Sequence, residues 1–460
     1  MSSQEYDVIV LGAGPAGEVA AGRLAEAGLQ VALIEKHLVG GECSFYGCMP
    51  SKALLRPAQA IAEARRIPGA AEAISAVLDV AAVLERRTEV IHGEADDAQL
   101  PWIEERGIAL VRGEGRLDGE RTIVTEDGTR HTARRAIVLA VGSRAAMPPI
   151  DGLADVMPWD NREITTAKAV PESLAIIGGG PIGSEMAQAW RTLGSEVTLI
   201  EGSEHLLMKE EPFASELVEE AMAELGVDVR TKTKVAKVSR AVDNGPVTVV
   251  LEGGEAITVA ELVVAAGRHV PLEDLGLETV DVTPTDRGHV AVDDTMRVGG
   301  RDWLYAIGDM NGRVLLTHMG KYQARIAADD ILGKPTELRI DGARSPRVTF
   351  TEPQVAAVGL TLNAALDAGI AASIVEVETS GNAGGSFYGR EAPGRTRLVI
   401  DDDRGIIVGA TITGADIQDF LQAATIAVVA EIPLSTLAHA VPPFPTRSEI
   451  WLRLLEKAGL

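Results

Sequence analysis

The stretch Gly41-Glu42-Cys43-Ser44-Phe45-Tyr46-Gly47-Cys48-Met49-Pro50-Ser51-Lys52 holds both cysteines of a 460-residue chain, with four residues between them. Two thiols confined to one short segment suit redox chemistry, in which a pair cycles between dithiol and disulfide. A stabilising disulfide is a weaker account, because closing so short a loop removes little entropy from the unfolded chain. A metal site is weaker too: C-x4-C fits the zinc spacings poorly, and only His37 lies close by. Residues five apart in a regular α-helix have Cα atoms more than about 8 Å apart, whereas a disulfide needs roughly 7 Å or less. If the two cysteines pair, Cys43 therefore sits in a bent or unwound helical start, with Gly40, Gly41 and Gly47 supplying the freedom. Lys52 follows Cys48 by four residues. A helix running on from Cys48 puts both on one face, and a nearby ammonium favours thiolate.

An internal repeat frames this segment. Residues 8–36 read VIVLGAGPAGEVAAGRLAEAGLQVALIEK and residues 174–202 read LAIIGGGPIGSEMAQAWRTLGSEVTLIEG, offset by 166 throughout. Gly12, Gly14, Gly17 and Glu35 match Gly178, Gly180, Gly183 and Glu201. Each copy predicts a buried strand, a G-x-G-x-x-G turn, a helix and a second strand ending in Glu. In such a unit the first glycine allows a tight turn, the second lets backbone approach a pyrophosphate, and the third lets helix pack on strand. The pyrophosphate rests on the helix N-terminus, and the Glu binds a ribose. One such turn alone is a weak signal; two, each in strand–helix–strand context, predict two dinucleotide sites. At the second, the Glu201 carboxylate would repel a 2′-phosphate, and no Arg follows in Gly202-Ser203-Glu204-His205-Leu206-Leu207, which favours NAD over NADP.

The remaining segments fit around these units. The first strand is expected over Tyr6 to Leu11. Ala136 to Ser143 reads as a buried strand ending in a turn at Gly142. Leu262 to Arg268 repeats the pattern with Gly267 and Arg268, and both look like crossings between the nucleotide domains. Leu304 to Asp309 is a strand ending in Gly-Asp. From about Arg347 the texture changes to half-exposed antiparallel strands, Val348 to Thr351 and Thr396 to Ile400. Residues 381–394 read as a loop or hairpin tip, residues 414–430 as an apolar-striped helix, and Ser448 to Lys457 as the closing helix. A formal net charge of −24 and a pI near 4.8 argue against nucleic acid or anionic membranes as partners and suit solubility. No apolar run reaches a membrane span and nothing before Tyr6 resembles a signal peptide, so a cytoplasmic location is expected.

Taken together, the two nucleotide fingerprints, C-x4-C followed by Pro50-Ser51-Lys52, the Gly308-Asp309 strand end and the α+β tail resemble the pyridine nucleotide-disulfide oxidoreductases. These are the flavoproteins that include dihydrolipoamide dehydrogenase, glutathione reductase and mercuric reductase. The resemblance covers essentially the whole chain, in order. It implies an α/β fold of two Rossmann-like dinucleotide-binding domains plus a C-terminal α+β dimerisation domain. Residues 1–150, completed by 270–335, would bind FAD; 151–269 would bind NAD; 340–460 would build a homodimer. By the match, Glu35 holds the adenosine ribose of FAD, Asp309 its ribityl chain, and Gly115 gives a backbone contact near the adenine. Gly142, Gly267 and Arg268 fall among the cofactor-lining positions. Lys52 would lie by the flavin ring and pair with Glu185. Cys48 would be the thiol against the flavin, and Cys43 the outer thiol that meets substrate. No metal is implied.

The chain departs from this family at its tail. The typical sequence is His-Pro-Thr-x-Ser-Glu, whose His is the acid/base for the thiols and whose Glu orients it. Here it reads Phe444-Pro445-Thr446-Arg447-Ser448-Glu449, and phenylalanine cannot move a proton. His439 lies five residues upstream as a conceivable substitute, although a surface role suits it better. The resemblance thus implies an FAD-dependent NADH oxidoreductase passing electrons through Cys43 and Cys48 to a disulfide or dithiol substrate, with an atypical acid/base site. A small-molecule electron acceptor or donor is the expected partner. Three other readings stand beside it. One is a quinone or dye reductase using the flavin directly. Another is chemistry like that of the ketopropyl-coenzyme M carboxylase, which shares the Phe but has His where this chain has Glu449. The last is a flavoprotein serving as a binding subunit.

Overall fold

The computed structural model describes residues 3–460 except 76, 244, 390 and 391. The chain divides into two compact units, the first made of Met1–Pro50, Thr88–Ala145 and Arg268–Gly342 and the second of Ser51–Arg87, Ala146–Gly267 and Ala343–Leu460.

The first unit is built on a seven-stranded sheet. Its strands run Ala109–Arg112, Val31–Glu35, Ser3–Leu11, Arg130–Leu139, Thr122–Thr125 and Gly115–Leu117 in order, with Leu304–Ala306 also pairing with Arg130–Leu139. Pairing is parallel along the first four strands and to Leu304–Ala306, and antiparallel for the last two. Val8 to Leu11 and Val31 to Ile34 are buried without alternation, as expected of parallel strands covered on both faces. The helices Pro15–Glu26 and Thr317–Ile331 pack with the sheet in one apolar cluster through Ala20, Ala21, Leu24, Ala324 and Ala327.

The second unit carries a four-stranded parallel sheet in the order Asp228–Arg230, Glu196–Ile200, Ser173–Ile177, Glu261–Val264. Beside it are a three-stranded antiparallel sheet and a five-stranded antiparallel sheet. The latter runs Arg347–Thr349, Gln354–Gly359, Ile406–Gly414, Arg395–Asp401, Ala372–Glu378. The repeat copy's helix Pro181–Leu193 is bound to this last sheet: Gln188 exchanges two hydrogen bonds with the Glu352 backbone, at 2.6 and 2.8 Å. Arg397 reaches Glu211 at 2.8 Å, and Arg347 reaches Glu210 at 2.7 Å.

Residues 381–394 join two antiparallel strands, as expected of a hairpin connection, with Arg390 and Glu391 outside the described residues. The helix expected over 414–430 is shorter. Residues 406–414 form a strand paired on both sides, and the α-helix is Leu421–Val429. Gly414 at φ 149° and Asp416 at φ 51° break the chain between them. Only Gly414, the last residue of that strand, falls in the expected span; the chain then turns and forms the short 3-10 helix Gln418–Phe420 before the α-helix begins. Among the described residues, no helix is long and apolar enough to cross a membrane.

Candidate active site

Each nucleotide loop is held from behind and open in front. Gly12 has φ +102°, and a Cβ there would lie 2.4 Å from the Ala140 carbonyl oxygen; a Cβ on Gly17 would lie 1.9 Å from the Gly12 carbonyl oxygen. At Gly14 a Cβ would meet nothing within 4 Å. The second copy repeats this: Gly178 has φ +112° and closes on Ala265, Gly183 closes on the Gly178 carbonyl, and Gly180 faces open space. Gly14 and Gly180 are the N-caps of the helices Pro15–Glu26 and Pro181–Leu193, and neither cap has a side-chain hydrogen bond. A helix N-terminus with free N–H groups beside open space fits a pyrophosphate.

The glutamates at the strand ends latch these loops. Glu35 Oε2 accepts from the Ala13 N–H at 2.7 Å and Oε1 from the His37 N–H at 2.6 Å. Glu201 does the same 166 positions later, from Gly179 at 2.6 Å and Ser203 at 2.7 Å. Each carboxylate oxygen keeps a second lone pair for a ribose hydroxyl. Beside Glu35, its carbonyl accepts from the Gly113 N–H at 3.0 Å, and Gly115 begins the strand Gly115–Leu117 wedged against Leu11, Ile34 and Ile123. Beside Glu201, the Lys232 ammonium is held by Glu204 at 2.7 Å.

The cysteines lie in the first unit, at two helical pieces rather than one. Gly41–Phe45 is a short helix capped by Gly40 at φ 110°; Tyr46 and Gly47 break it; a second helix, Cys48–Arg66, starts at the second thiol. This is the interrupted start expected if the two cysteines pair. Gly41 rests on the nucleotide loop itself, where a Cβ would be 2.8 Å from the Gly14 Cα. The dithiol segment is thereby fixed to the turn that would hold a pyrophosphate. The two cysteines are not joined by a disulfide here, and both are half-buried. Cys48 Sγ lies 3.5 Å from Thr317 Oγ1, at the start of the helix Thr317–Ile331. Hydrogen bonding to Cys48 and burial push the Cys43 thiol up, while the Thr317 hydroxyl and the Lys321 ammonium pull it down. The first thiolate of such a pair opposes the second.

Also in this unit, Asp309 sits in a polar chain. The Ser143 hydroxyl donates to Asp309, and Arg268 donates to the Ser143 hydroxyl at 2.6 Å and to its carbonyl at 2.6 Å. Arg268 lies 3.6 Å from Asp309. Gly142, at φ 69°, turns the chain just before Ser143.

In the second unit, the Lys52 ammonium pairs with Glu185 Oε2 at 2.8 Å. Glu185 Oε1 accepts from the Phe350 N–H at 2.9 Å, and Lys52 lies over the Phe350 ring, 4.6 Å from its centroid. The Glu185 side chain is 5% exposed and that of Lys52 34%, so the carboxylate is buried and the ammonium is presented. Gly267, at φ 121°, closes the strand Glu261–Val264 and accepts from the Ala146 N–H at 3.0 Å.

The tail also belongs to the second unit. Phe444 is 75% exposed. Arg447 is buried, donates to the carbonyls of Ala415 and Asp416, and is flanked by the Tyr388 and Phe420 rings. Glu449 Oε2 is buried without a hydrogen-bond partner among the described residues. His439 follows the turn of helix Leu434–Leu437 and is exposed.

Sequence reasoning did not single out Ser143, Thr317, Lys321 or Phe350. Ser143 carried a weak signal, next to a glycine turn. The others are brought to their partners only by tertiary packing.

A family profile described as pyridine nucleotide-disulphide oxidoreductase matches residues 6–324. A profile for the dimerisation domain of the same family matches residues 345–454. Among curated relatives, a dihydrolipoyl dehydrogenase of Mycobacterium tuberculosis is 32% identical over 455 residues, covering 96% of each chain. A mercuric reductase of Staphylococcus aureus is 29% identical, covering 97% of this chain and 81% of its own. The solved structure of LpdA from Mycobacterium tuberculosis superposes with TM-score 0.86 at 23% identity over the whole of both chains. That of the HOCl-induced flavoprotein disulfide reductase RclA from Escherichia coli gives 0.85 at 23%, covering 98% of this chain and 99% of its own.

Proposed function

Because the chain belongs to the pyridine nucleotide-disulphide oxidoreductase family, we propose that it is an FAD-dependent, NADH-linked oxidoreductase that delivers electrons through Cys43 and Cys48 to a disulfide substrate. The observation that carries this reading is the seating of the dithiol segment on Gly14, the open residue of the first nucleotide loop. Residues 1–150 with 270–335 are assigned to FAD, 151–269 to NAD and 340–460 to a homodimer interface. Bound there, FAD would supply two-electron chemistry between a nicotinamide and the cysteines.

The chain's own residues have distinct tasks in this reading. Glu35 and Glu201 order the two loops and accept ribose hydroxyls; Gly14 and Gly180 offer N–H groups to pyrophosphate. Asp309, held by Ser143 and Arg268, presents a fixed acceptor for the ribityl chain. Lys52, held by Glu185, presents a positive charge. For thiol exchange, Cys43 thiolate attacks one sulfur of the substrate disulfide and expels one substrate thiolate, which takes up a proton. Cys48 thiolate then attacks the Cys43 sulfur. This releases the second substrate thiol and closes the Cys43–Cys48 disulfide.

A second reading, a quinone or dye reductase that needs no thiol base, is favoured by one observation: an exposed Phe444 where proton transfer would call for His. Steady-state NADH oxidation measured across lipoamide, low-molecular-weight disulfides, quinones and Hg(II) separates the two. Turnover with disulfides that is lost in Cys43→Ser supports the first. Turnover with quinones alone, unchanged in Cys43→Ser, supports the second. No NADH oxidation with any acceptor refutes both.

A further inference from the structure

In the first unit, residues 36–40 form an irregular arm between the strand Val31–Glu35 and the helix Gly41–Phe45 that bears Cys43. On one side the arm is tied to the nucleotide loop, where the Gly40 N–H donates to the Ala13 carbonyl at 2.8 Å. On the other it is tied to Asp96, whose Oδ2 accepts from the Val39 N–H at 2.7 Å. Asp96 lies outside both repeat copies, shortly before the helix Leu100–Glu105. It is 8% exposed, and a carboxylate so buried needs a partner. Arg112, the last residue of the strand Ala109–Arg112, supplies one: one guanidinium nitrogen reaches Asp96 Oδ2 at 2.7 Å and a second donates to the His37 carbonyl at 2.8 Å. The pair thus clasps the arm at two peptide groups, the His37 carbonyl and the Val39 N–H. Cys48 meets a different support, Thr317 at 3.5 Å.

We propose that Asp96 and Arg112 are positioning residues for the redox pair: they fix the arm that carries Cys43 and so set how readily Cys43 closes a disulfide with Cys48. The proposal rests on the reading of the two cysteines as a redox pair. A disulfide needs Cα atoms within roughly 7 Å and converging Cβ directions. The chain between the thiols is broken at Tyr46 and Gly47, so it does not by itself hold that separation. What holds it is the support on each side. Gly41 is stopped against Gly14, where a Cβ would lie 2.8 Å from the Gly14 Cα, and the Asp96–Arg112 clasp fixes the residues just before it. An arm free to wander gives Cys43 a lower effective concentration at Cys48, and the disulfide equilibrium falls in proportion. Closure takes two electrons and two protons from the thiols and hands them to an oxidised dithiol, whose own S–S bond breaks.

The test equilibrates purified protein with mixtures of reduced and oxidised dithiothreitol, traps free thiols with N-ethylmaleimide and scores the Cys43–Cys48 disulfide by mass spectrometry. Asp96→Ala removes the Val39 acceptor and leaves Arg112 without its carboxylate. Its disulfide equilibrium constant is expected to fall about tenfold, about 30 mV for a two-electron couple. Arg112→Lys gives up the two-pronged contact at a side chain 42% exposed and should fall about threefold. Glu114→Gln breaks the more exposed Lys36–Glu114 pair on the same arm and should leave the constant unchanged. Hydrogen exchange at Val39 in the Cys43→Ser/Cys48→Ser double variant reads the hold without any disulfide. Adding Asp96→Ala there should speed it at least about tenfold, and Asp96→Asn, whose amide oxygen still accepts, should speed it less. Far-UV circular dichroism checks folding, and Asp96→Asn and Arg112→Lys keep the test decisive if Asp96→Ala misfolds. The proposal is overturned if no folded variant at 96 or 112 moves the disulfide equilibrium, or if Glu114→Gln moves it as far. A parent that forms no Cys43–Cys48 disulfide in any mixture refutes the redox-pair reading and the proposal with it. Val39 exchange unchanged by Asp96→Ala, with the disulfide still forming in the parent, refutes the proposal alone.

Discussion

Replacing Phe444 by His should convert a slow thiol exchanger into a faster one. Phe444 is 75% exposed, so the substitution removes no core packing. Five residues on, Glu449 Oε2 is buried without a hydrogen-bond partner among the described residues, an acceptor that an imidazole N–H would satisfy. The magnitude follows from the thiol. An ordinary cysteine of pKa near 8.5 is about 3% thiolate at pH 7. The hydrogen bond to Cys48 and burial move Cys43 further from ionisation, with Thr317 and Lys321 only partly offsetting them. A base that supplies the thiolate therefore has about 30-fold or more to gain at pH 7, within the usual range for general base catalysis of about 10²–10⁴. The assay mixes two-electron-reduced enzyme with lipoamide or a small disulfide in a stopped-flow instrument and follows loss of long-wavelength absorbance. The parent should be slow at pH 7 and at least about 30-fold faster at pH 9, as thiolate accumulates. Phe444→His should be at least about tenfold faster at pH 7 and flatter with pH above the imidazole pKa. Parent turnover of hundreds per second at pH 7, flat with pH, would refute the reasoning and make His439 the first residue to mutate.

Purified protein should be yellow with bound FAD, and Gly17→Val, which forces a side chain into the Gly12 carbonyl, should yield colourless protein; equal FAD content in the two would reject the first loop as its site. NADH should exceed NADPH in kcat/KM by about tenfold, about 1.4 kcal/mol, because the Glu201 carboxylate faces the second loop; equal values would remove that assignment. Two-electron reduction should produce a long-wavelength band that Cys48→Ser abolishes, and its survival in the variant would place another thiol beside the flavin. Glu185→Ala removes the acceptor of the Phe350 N–H and the partner of Lys52. It should cost about 2–3 kcal/mol by urea midpoint, an unpaired donor plus a part-exposed ion pair. Glu185→Gln keeps an acceptor and should cost about 1 kcal/mol, so equal losses would show that the Phe350 hydrogen bond contributes nothing.

Local sequence settled what depends on local chain geometry. A glycine at position 12 or 17 is a statement about backbone contact a few residues away, and the repeat at 178 and 183 says it twice; both close approaches are present. The strand-end glutamates, the broken helix between Cys43 and Cys48, and the hairpin around residues 381–394 follow for the same reason. The Lys52–Glu185 pair, 133 residues apart, was legible only through the family resemblance, since nothing in the spacing relates them. The helix start was misplaced at residues 414–430, because the apolar pattern does not show that Gly414 at φ 149° and Asp416 at φ 51° turn the chain and delay the α-helix to Leu421. The surroundings of Cys43 were not legible at all. Thr317, 269 positions from Cys48, and Lys321 come from a distant segment of the chain. They converge because Gly14, Gly41 and Gly320 let three helix starts approach to van der Waals contact. The charge and hydrogen bonding that set a thiol's reactivity depend on distance in space, which sequence separation does not report and the tertiary structure alone decides.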